Sequence, residues 1–322
     1  MRRSLLFSFV SVFLFVTSAL AGADESAPSL LATGRVDEAV SVLRTHITQS
    51  PNDAVAHNLL CRAYLAVGDW DRGISACEKA VSLAPDNSQY HLWLGRVYGE
   101  KADRSSWMTA AGLAKHVRSE FETAVRLNPK NVDARTDLAE FYLEAPGIVG
   151  GGRDKAEAQA ASLLSLDPPM AHWVKARLAE KKSDLPTAEA EYKAAITSSN
   201  GAATQWLNLG IFYKHRERWL DMEQALGHVR AARLDRADAL VDAADILLHT
   251  GRNLPEAAEL LRTYLNSDAK VEQAPAFKAH YLLGSTVEKM GDKQAAAAEY
   301  RSALALAHDF RPAQEALQRV NR

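Results

Sequence analysis

The sequence predicts an all-α protein built as an array of helix-turn-helix units, and three observations carry that expectation. Alanine is very abundant, with Leu, Glu, Arg and Lys recurring between short punctuated turns, which is the usage of helices rather than strands. Residues 54–87, AVAHNLLCRAYLAVGDWDRGISACEKAVSLAPDN, form a 34-residue unit with two amphipathic patterns separated at Gly68-Asp69 and ended by Pro85. Residues 277–310 form a second unit of the same length, with Leu283-Gly284, Val287, Gly291, Ala296, Tyr300 and Ala303 at the corresponding places. One such unit cannot bury its apolar face alone, so units of this kind stack. A chain of 322 residues could hold two conventional domains or one extended array, and the period favours the array.

Taken in order, the chain opens with Arg2 and Arg3, an apolar run from Leu5 to Val16, and Thr17-Ser18-Ala19-Leu20-Ala21, a small-x-small site. This is the pattern of a secretory signal peptide over residues 1–21. The apolar run of about 12 residues falls short of the roughly 18 that a membrane span needs, and no later segment is long and apolar enough. The other reading is an uncleaved anchor; Ala19 and Ala21, where signal peptidase reads small residues, favour cleavage. Leu20-Ala21-Gly22-Ala23 nearly spells a lipoprotein box, but Ala23 stands where the lipid-bearing thiol would be, so a lipoprotein is not expected. The chain is therefore expected to be secreted or periplasmic after cleavage near Ala21. Net charge is −2, from 38 basic and 40 acidic residues; cleavage removes two arginines and leaves 36 against 40, or −4. Charges of both signs are mixed along the chain without a basic stripe, which argues against a nucleic-acid partner.

Residues 22–53 read as a degenerate half-repeat, essentially its second helix from Val36 to Gln49 before Pro51. Full units follow at 54–87, 88–131, 132–169, 170–201, 202–237, 238–274 and 275–310. His91, Leu94, Gly95 and Tyr98 open the second of these, which closes with Phe121, Ala124 and Pro129; Arg135, Leu138, Ala139 and Tyr142 open the next, which closes with Ala156 and Pro168. Trp206, Leu209, Gly210 and Tyr213 open another, and Ala243, Ala244, Leu247 and Gly251 mark a weaker one. Residues 311–322 read as a capping helix, with Ala313, Ala316, Leu317 and Val320 on one face and Gln314, Glu315 and Arg319 on the other.

This spacing of bulky, small and aromatic positions resembles the tetratricopeptide (TPR) repeat, over nearly all of the chain after residue 21. The resemblance implies a right-handed superhelical solenoid of about eight helix-turn-helix units with a C-terminal cap. Small residues let paired helices approach while large ones fill the space to the next pair. It also implies a role in holding other proteins. In the family, the first helix of each pair lines a concave groove. Carried onto this sequence, the groove positions include Asn58, Arg62 and Leu65, then Gln89, Leu92 and Arg96, then Asp133, Glu140 and Glu144, and later Leu207, Ile211 and Lys214. Arg62 and Arg96 occupy the same position of successive units, a fork for a carboxylate or acidic segment unless nearby acids neutralise them. The carboxylate clamp of TPR co-chaperones is absent, since its positions hold Asn58, Arg62 and Trp93.

Two units exceed the period. The 88–131 unit carries extra residues around Trp107 and Met108, and the 132–169 unit carries the segment Pro146-Gly147-Ile148-Val149-Gly150-Gly151-Gly152. Insertions in a solenoid fall on one edge, so Trp107, Met108, Ile148 and Val149 form a candidate loop site, against the alternative that Trp107 folds back over its helix. The glycine run lacks phosphate-loop spacing and follows a helix, so a turn is the better account. Cys61 and Cys77 lie either side of the Gly68 turn in one unit. In an exported chain they form a disulfide, stabilising by about 3 kcal/mol in the chain-entropy model, or else they are two buried thiols packed as small hydrophobes.

The ten histidines show no metal-ligand spacing, and His91 and His280 fall at a large core position, so they read as packing or hydrogen-bonding groups. No nucleophile elbow is present. The sequence thus predicts no catalytic residue, metal or cofactor, and a non-enzymatic scaffold or adaptor of a bacterial-type cell envelope that takes a protein or peptide partner in its groove. The alternative is an accessory protein that binds a small ligand or envelope polymer at the inserted loops.

Overall fold

The computed structural model describes residues 26–322; the signal-peptide and lipoprotein readings fall on residues outside that range. The described chain is all helical, with seventeen α-helices, one short 3-10 turn and no strand. The helices pair in order: α1 (Ala27–Ala32) with α2 (Val36–Gln49), α3 (Ala54–Ala66) with α4 (Trp70–Leu83), α5 (Ser88–Asp103) with α6 (Trp107–Leu127), and α7 (Val132–Glu144) with α8 (Arg153–Leu163). Then come α9 (Pro168–Lys181) with α10 (Leu185–Ser198), α11 (Ala203–His215) with α12 (Trp219–Val229), α13 (Asp238–Thr250) with α14 (Leu254–Asn266), and α15 (Ala276–Lys289) with α16 (Lys293–Leu306), capped by α17 (Arg311–Val320). A six-residue α1, with Leu30 and Leu31 buried, precedes α2, so the first unit has a short first helix as well as a second.

Local sequence sets these boundaries. Side chains of Asp53, Asp69, Asn87, Asn131, Asp167, Asp184 and Asp292 accept hydrogen bonds from the first free amides of their helices, satisfying donors that a helix start otherwise leaves open. The turn between paired helices needs a left-handed residue. Gly68 and Gly291 supply it, whereas Ser183 (φ 60°) and Glu217 (φ 54°) adopt it with a side chain, at a cost of about 1 kcal/mol each.

Close helix approach fixes the pairs. A methyl group on Gly95 would lie 2.5 Å from Phe121 Cε1; on Gly210, 2.6 Å from Leu226 Cδ2; on Gly284, 2.6 Å from Tyr300 Cε1. Each glycine thus lets an aromatic or leucine of the second helix reach the backbone of the first. Tyrosines then tie neighbouring helices through their hydroxyls: Tyr98 donates to Glu78 at 2.6 Å, Tyr142 to Glu122 at 2.9 Å and Tyr213 to Glu189 at 2.9 Å, each on the preceding pair. Tyr192 and Tyr300 reach back within their own pairs to Glu180 and Glu288, both at 2.6 Å. One apolar core runs from α1 to α17.

The two ends of the array meet. Arg62 on α3 donates through Nε to Glu272 Oε1 at 2.7 Å and through Nη2 to Oε2, although 210 residues separate them. The His308 amide donates to Asp37 Oδ2 at 2.7 Å. Gly34 lies against the backbone of Ala276, leaving no space there for a side chain. Contacts of the first two units with the last two therefore close the superhelix around its concave face.

Candidate functional site: the concave groove

First helices α7, α9, α11 and α13 line a cavity of about 450 Å³ on the concave wall. Apolar surface comes from Trp173, Leu207 and Ile211, and charge from Glu140, Arg177, Glu180, Arg236, Asp238 and Asp242. Most of these charges already serve each other. Arg177 reaches Glu144 at 2.5 Å and Glu140 at 3.8 Å, and lies over the Trp173 ring at 5.5 Å. Glu180 receives Tyr192 and, at 3.1 Å, Arg216, while Arg236 Nε donates to Asp238 Oδ1 at 3.2 Å.

Asp242 differs from these: it lines the cavity and takes no hydrogen bond or ion pair among the described residues. Asp242 is itself exposed to solvent at the wall, yet desolvation by the surrounding concave surface, aided by the Asp238 charge, pushes its pKa from 3.8 up to about 6. Glu140 is shifted up for the same first reason, although half of its side chain meets solvent. Both observations hold together because a concave wall removes distant water while leaving the carboxylate itself wet. His215 and Lys278 on the same face are shifted down by burial, the matching effect on a cation.

Of the residues expected to contact a partner, Glu140, Leu207 and Ile211 come together at this cavity. Lys214 is half-buried and Gln89 exposed, but neither lines it. Two positions need correcting as contacts. Leu92 is fully buried and Asn58 is 4 % exposed, because adjacent first helices pack against one another closely enough to cover them, whereas Leu207, 6 % exposed, still turns an edge into the cavity. Leu65 also packs on the core.

The arginine fork is not free. Arg62 is held by Glu272, and Arg96 donates to Asp137 at 2.6 Å with Asp133 3.8 Å away. Both guanidinium groups lie 4.9 Å from the Trp93 ring centre, so the indole makes a cation–π contact with each. Sequence reasoning passes over Trp93 as a site residue; the available signal is its place three residues before Arg96, on the first helix that follows the one carrying Arg62.

The inserted loops do not form a shared concavity. Trp107, Met108 and Ile148 are 80 %, 72 % and 92 % exposed, so Trp107 does not fold back over its helix. Val149 is buried, and its carbonyl accepts from Arg118 at 3.2 Å, which corrects its expected role as an exposed contact. Arg118 lies eleven residues along α6 from Trp107, or about 16 Å at the helical rise, so the two loops are held apart. In the glycine run, the amides of Gly150, Gly151 and Gly152 donate to Gly147, Pro146 and Tyr142, leaving no cradle for an anion.

Cys61 and Cys77 are joined as a disulfide, both fully buried, with Cα atoms 5.2 Å apart. His91 shares hydrogen bonds with Glu120 at 2.6 Å and with the Pro85 carbonyl at 2.8 Å, and His280 pairs with Glu299 at 2.7 Å. These histidines knit a first helix to its second and lie outside the cavity.

Three models of the tetratricopeptide repeat match the sequence, over residues 30–98, 149–203 and 277–310. The chain carries TPR repeats. Among solved structures, yeast Tom70 is similar at a TM-score of 0.54 and 13 % identity, over 97 % of this chain and 66 % of that one. A thermophilic TPR protein of Thermus thermophilus, TTC0263, is similar at 0.48 and 22 % identity, over 58 % of this chain and 94 % of that one. No curated protein matches the sequence. These likenesses speak to the TPR fold alone. No described helix is long and apolar enough to cross a membrane.

Proposed function

We propose that the chain is a non-enzymatic interaction scaffold of a bacterial-type cell envelope that holds an extended segment of a partner protein in the concave groove, with a cationic side chain of that segment at Glu140 and Asp242. The observation that carries this reading is Asp242, a carboxylate facing a cavity of about 450 Å³ with no donor of its own among the described residues. A lysine or arginine placed there would favour ionisation of both acids, while Trp173, Leu207 and Ile211 cover its aliphatic stem. The signal-peptide pattern at residues 1–21 and the buried disulfide fit an oxidising, exported setting. The rival reading, a ligand site at the inserted loops, is weakened by the separation of Trp107 from Ile148.

The test is site-specific photo-crosslinking in cells, with the crosslinker at Ile211 in the groove or at Thr197 on the exposed face of α10. A discrete protein adduct from Ile211, absent from Thr197 and lost with Asp242→Lys, supports the groove. Equal adducts from both positions, unaffected by Asp242→Lys, would rule it out.

A further inference from the structure

We infer that the contact between the first two and last two units is a reversible clasp: the superhelix opens at the Arg62–Glu272 seam, and its closed form restricts lateral entry to the groove. The seam includes three contacts between segments far apart in sequence. Arg62 grips Glu272 through both Nε and Nη2, the His308 amide and ring meet Asp37, and the Gly34 turn rests on Ala276.

What crosses the seam is unlike what joins helices within the array. There, large side chains such as Phe121, Leu226 and Tyr300 press into a paired helix, whereas among the described residues no helix of α1–α4 packs extensively on a helix of α13–α17. Glu272 lies on the connection of residues 267–275 between α14 and α15, which Tyr264 anchors to its own unit by accepting from the Val271 amide at 3.0 Å and donating to the Ala274 carbonyl at 2.5 Å, so opening breaks the Arg62 contact and leaves that connection on its unit.

The consequence concerns how a partner enters. A free chain end can thread a closed ring from its axial openings, but a segment flanked by folded domains enters only from the side, through an open seam. This consequence rests on the groove reading above; the clasp itself does not.

The test uses double electron–electron resonance on the full chain with spin labels at Ser41→Cys on α2 and Gln318→Cys on α17, both exposed and outside the seam contacts. The native cysteines are silent because they are bonded. The labelled parent should give one short, narrow distance. Arg62→Glu should lengthen it by about 10 Å or more, a helix diameter, and the charge-swapped pair Arg62→Glu with Glu272→Arg should restore it. If Arg62→Glu unfolds by circular dichroism, Glu272→Gln serves instead, with the same expected lengthening. An unchanged distance in a folded single variant, or no recovery in the swap, overturns the clasp. Neither measurement involves a partner, so failure here leaves the groove reading intact, and loss of the Ile211 adduct leaves the clasp intact.

Discussion

Reducing or removing the Cys61–Cys77 bond should loosen one hairpin by a calculable amount. The bond closes a loop with a sequence separation of 16 inside the α3–α4 pair. In the chain-entropy model a loop of this size restricts the unfolded hairpin enough to stabilise it by about 3 kcal/mol. Stability in a repeat array is close to a sum of unit and neighbour terms, so the loss stays mostly in that unit rather than spreading over seventeen helices. At about 1.4 kcal/mol per factor of ten, amides of Ala54–Leu83 should then exchange with solvent about a hundredfold faster. Hydrogen exchange followed by mass spectrometry on oxidised protein, reduced protein and the Cys61→Ala, Cys77→Ala variant gives the comparison. The alanine pair should lose somewhat more than reduction, since it also removes two fully buried sulfurs. Equal exchange in all three forms, or free thiols in the peptide map of untreated protein, would refute the reasoning.

Gly284→Ala puts a methyl 2.6 Å from the Tyr300 ring and should cost about 1–3 kcal/mol in urea unfolding, whereas the open site at Gly227 should tolerate alanine with a loss of about 1 kcal/mol at most. Glu217→Gly relieves a side chain at φ 54° and should stabilise by about 1 kcal/mol, read as a raised urea midpoint. Asp242 carries a folded-state pKa raised from 3.8 to about 6, so the folded state holds its proton more tightly than the unfolded chain does. Its contribution to stability therefore falls as pH rises between those two values, and Asp242→Asn should flatten the slope of urea midpoint against pH across that window. Tyr192→Phe removes the donor to Glu180, which keeps Arg216, so the loss should be about 1 kcal/mol by thermal or urea melt.

What the sequence makes legible is what repeats every unit. Gly95, Gly210 and Gly284 stand at the small position that lets helices touch, and each does have a large side chain against it. His91 and His280 can be read as packing or hydrogen-bonding groups because their unit position is known, and both pair with a glutamate of the second helix. Leu92 reads wrongly as a groove contact because position within a unit gives the direction of a side chain but not how tightly successive first helices close over it. Val149 reads wrongly because loop residues follow no period; its carbonyl is held by Arg118 from another unit. The Arg62–Glu272 contact is out of reach for a stronger reason. It depends on the curvature summed over all intervening units, and no local pattern in residues 267–275 marks Glu272 as a partner.

Curvature also explains why the shifted groups share one address. Asp242, Glu140, His215 and Lys278 each have burial as the first cause of their shift, although they sit on four different helices. Nothing in their own helical surroundings is alike; what they share is the inside of a closed turn. The closing contacts are weaker than the interfaces that generate the turn. A part-exposed ion pair contributes about 1 kcal/mol or less, whereas burying a residue such as Phe277, which is fully enclosed within the last unit, contributes about 2 kcal/mol or more. On the clasp reading, the seam is therefore the contact expected to give way before these interfaces under a load that leaves the units folded.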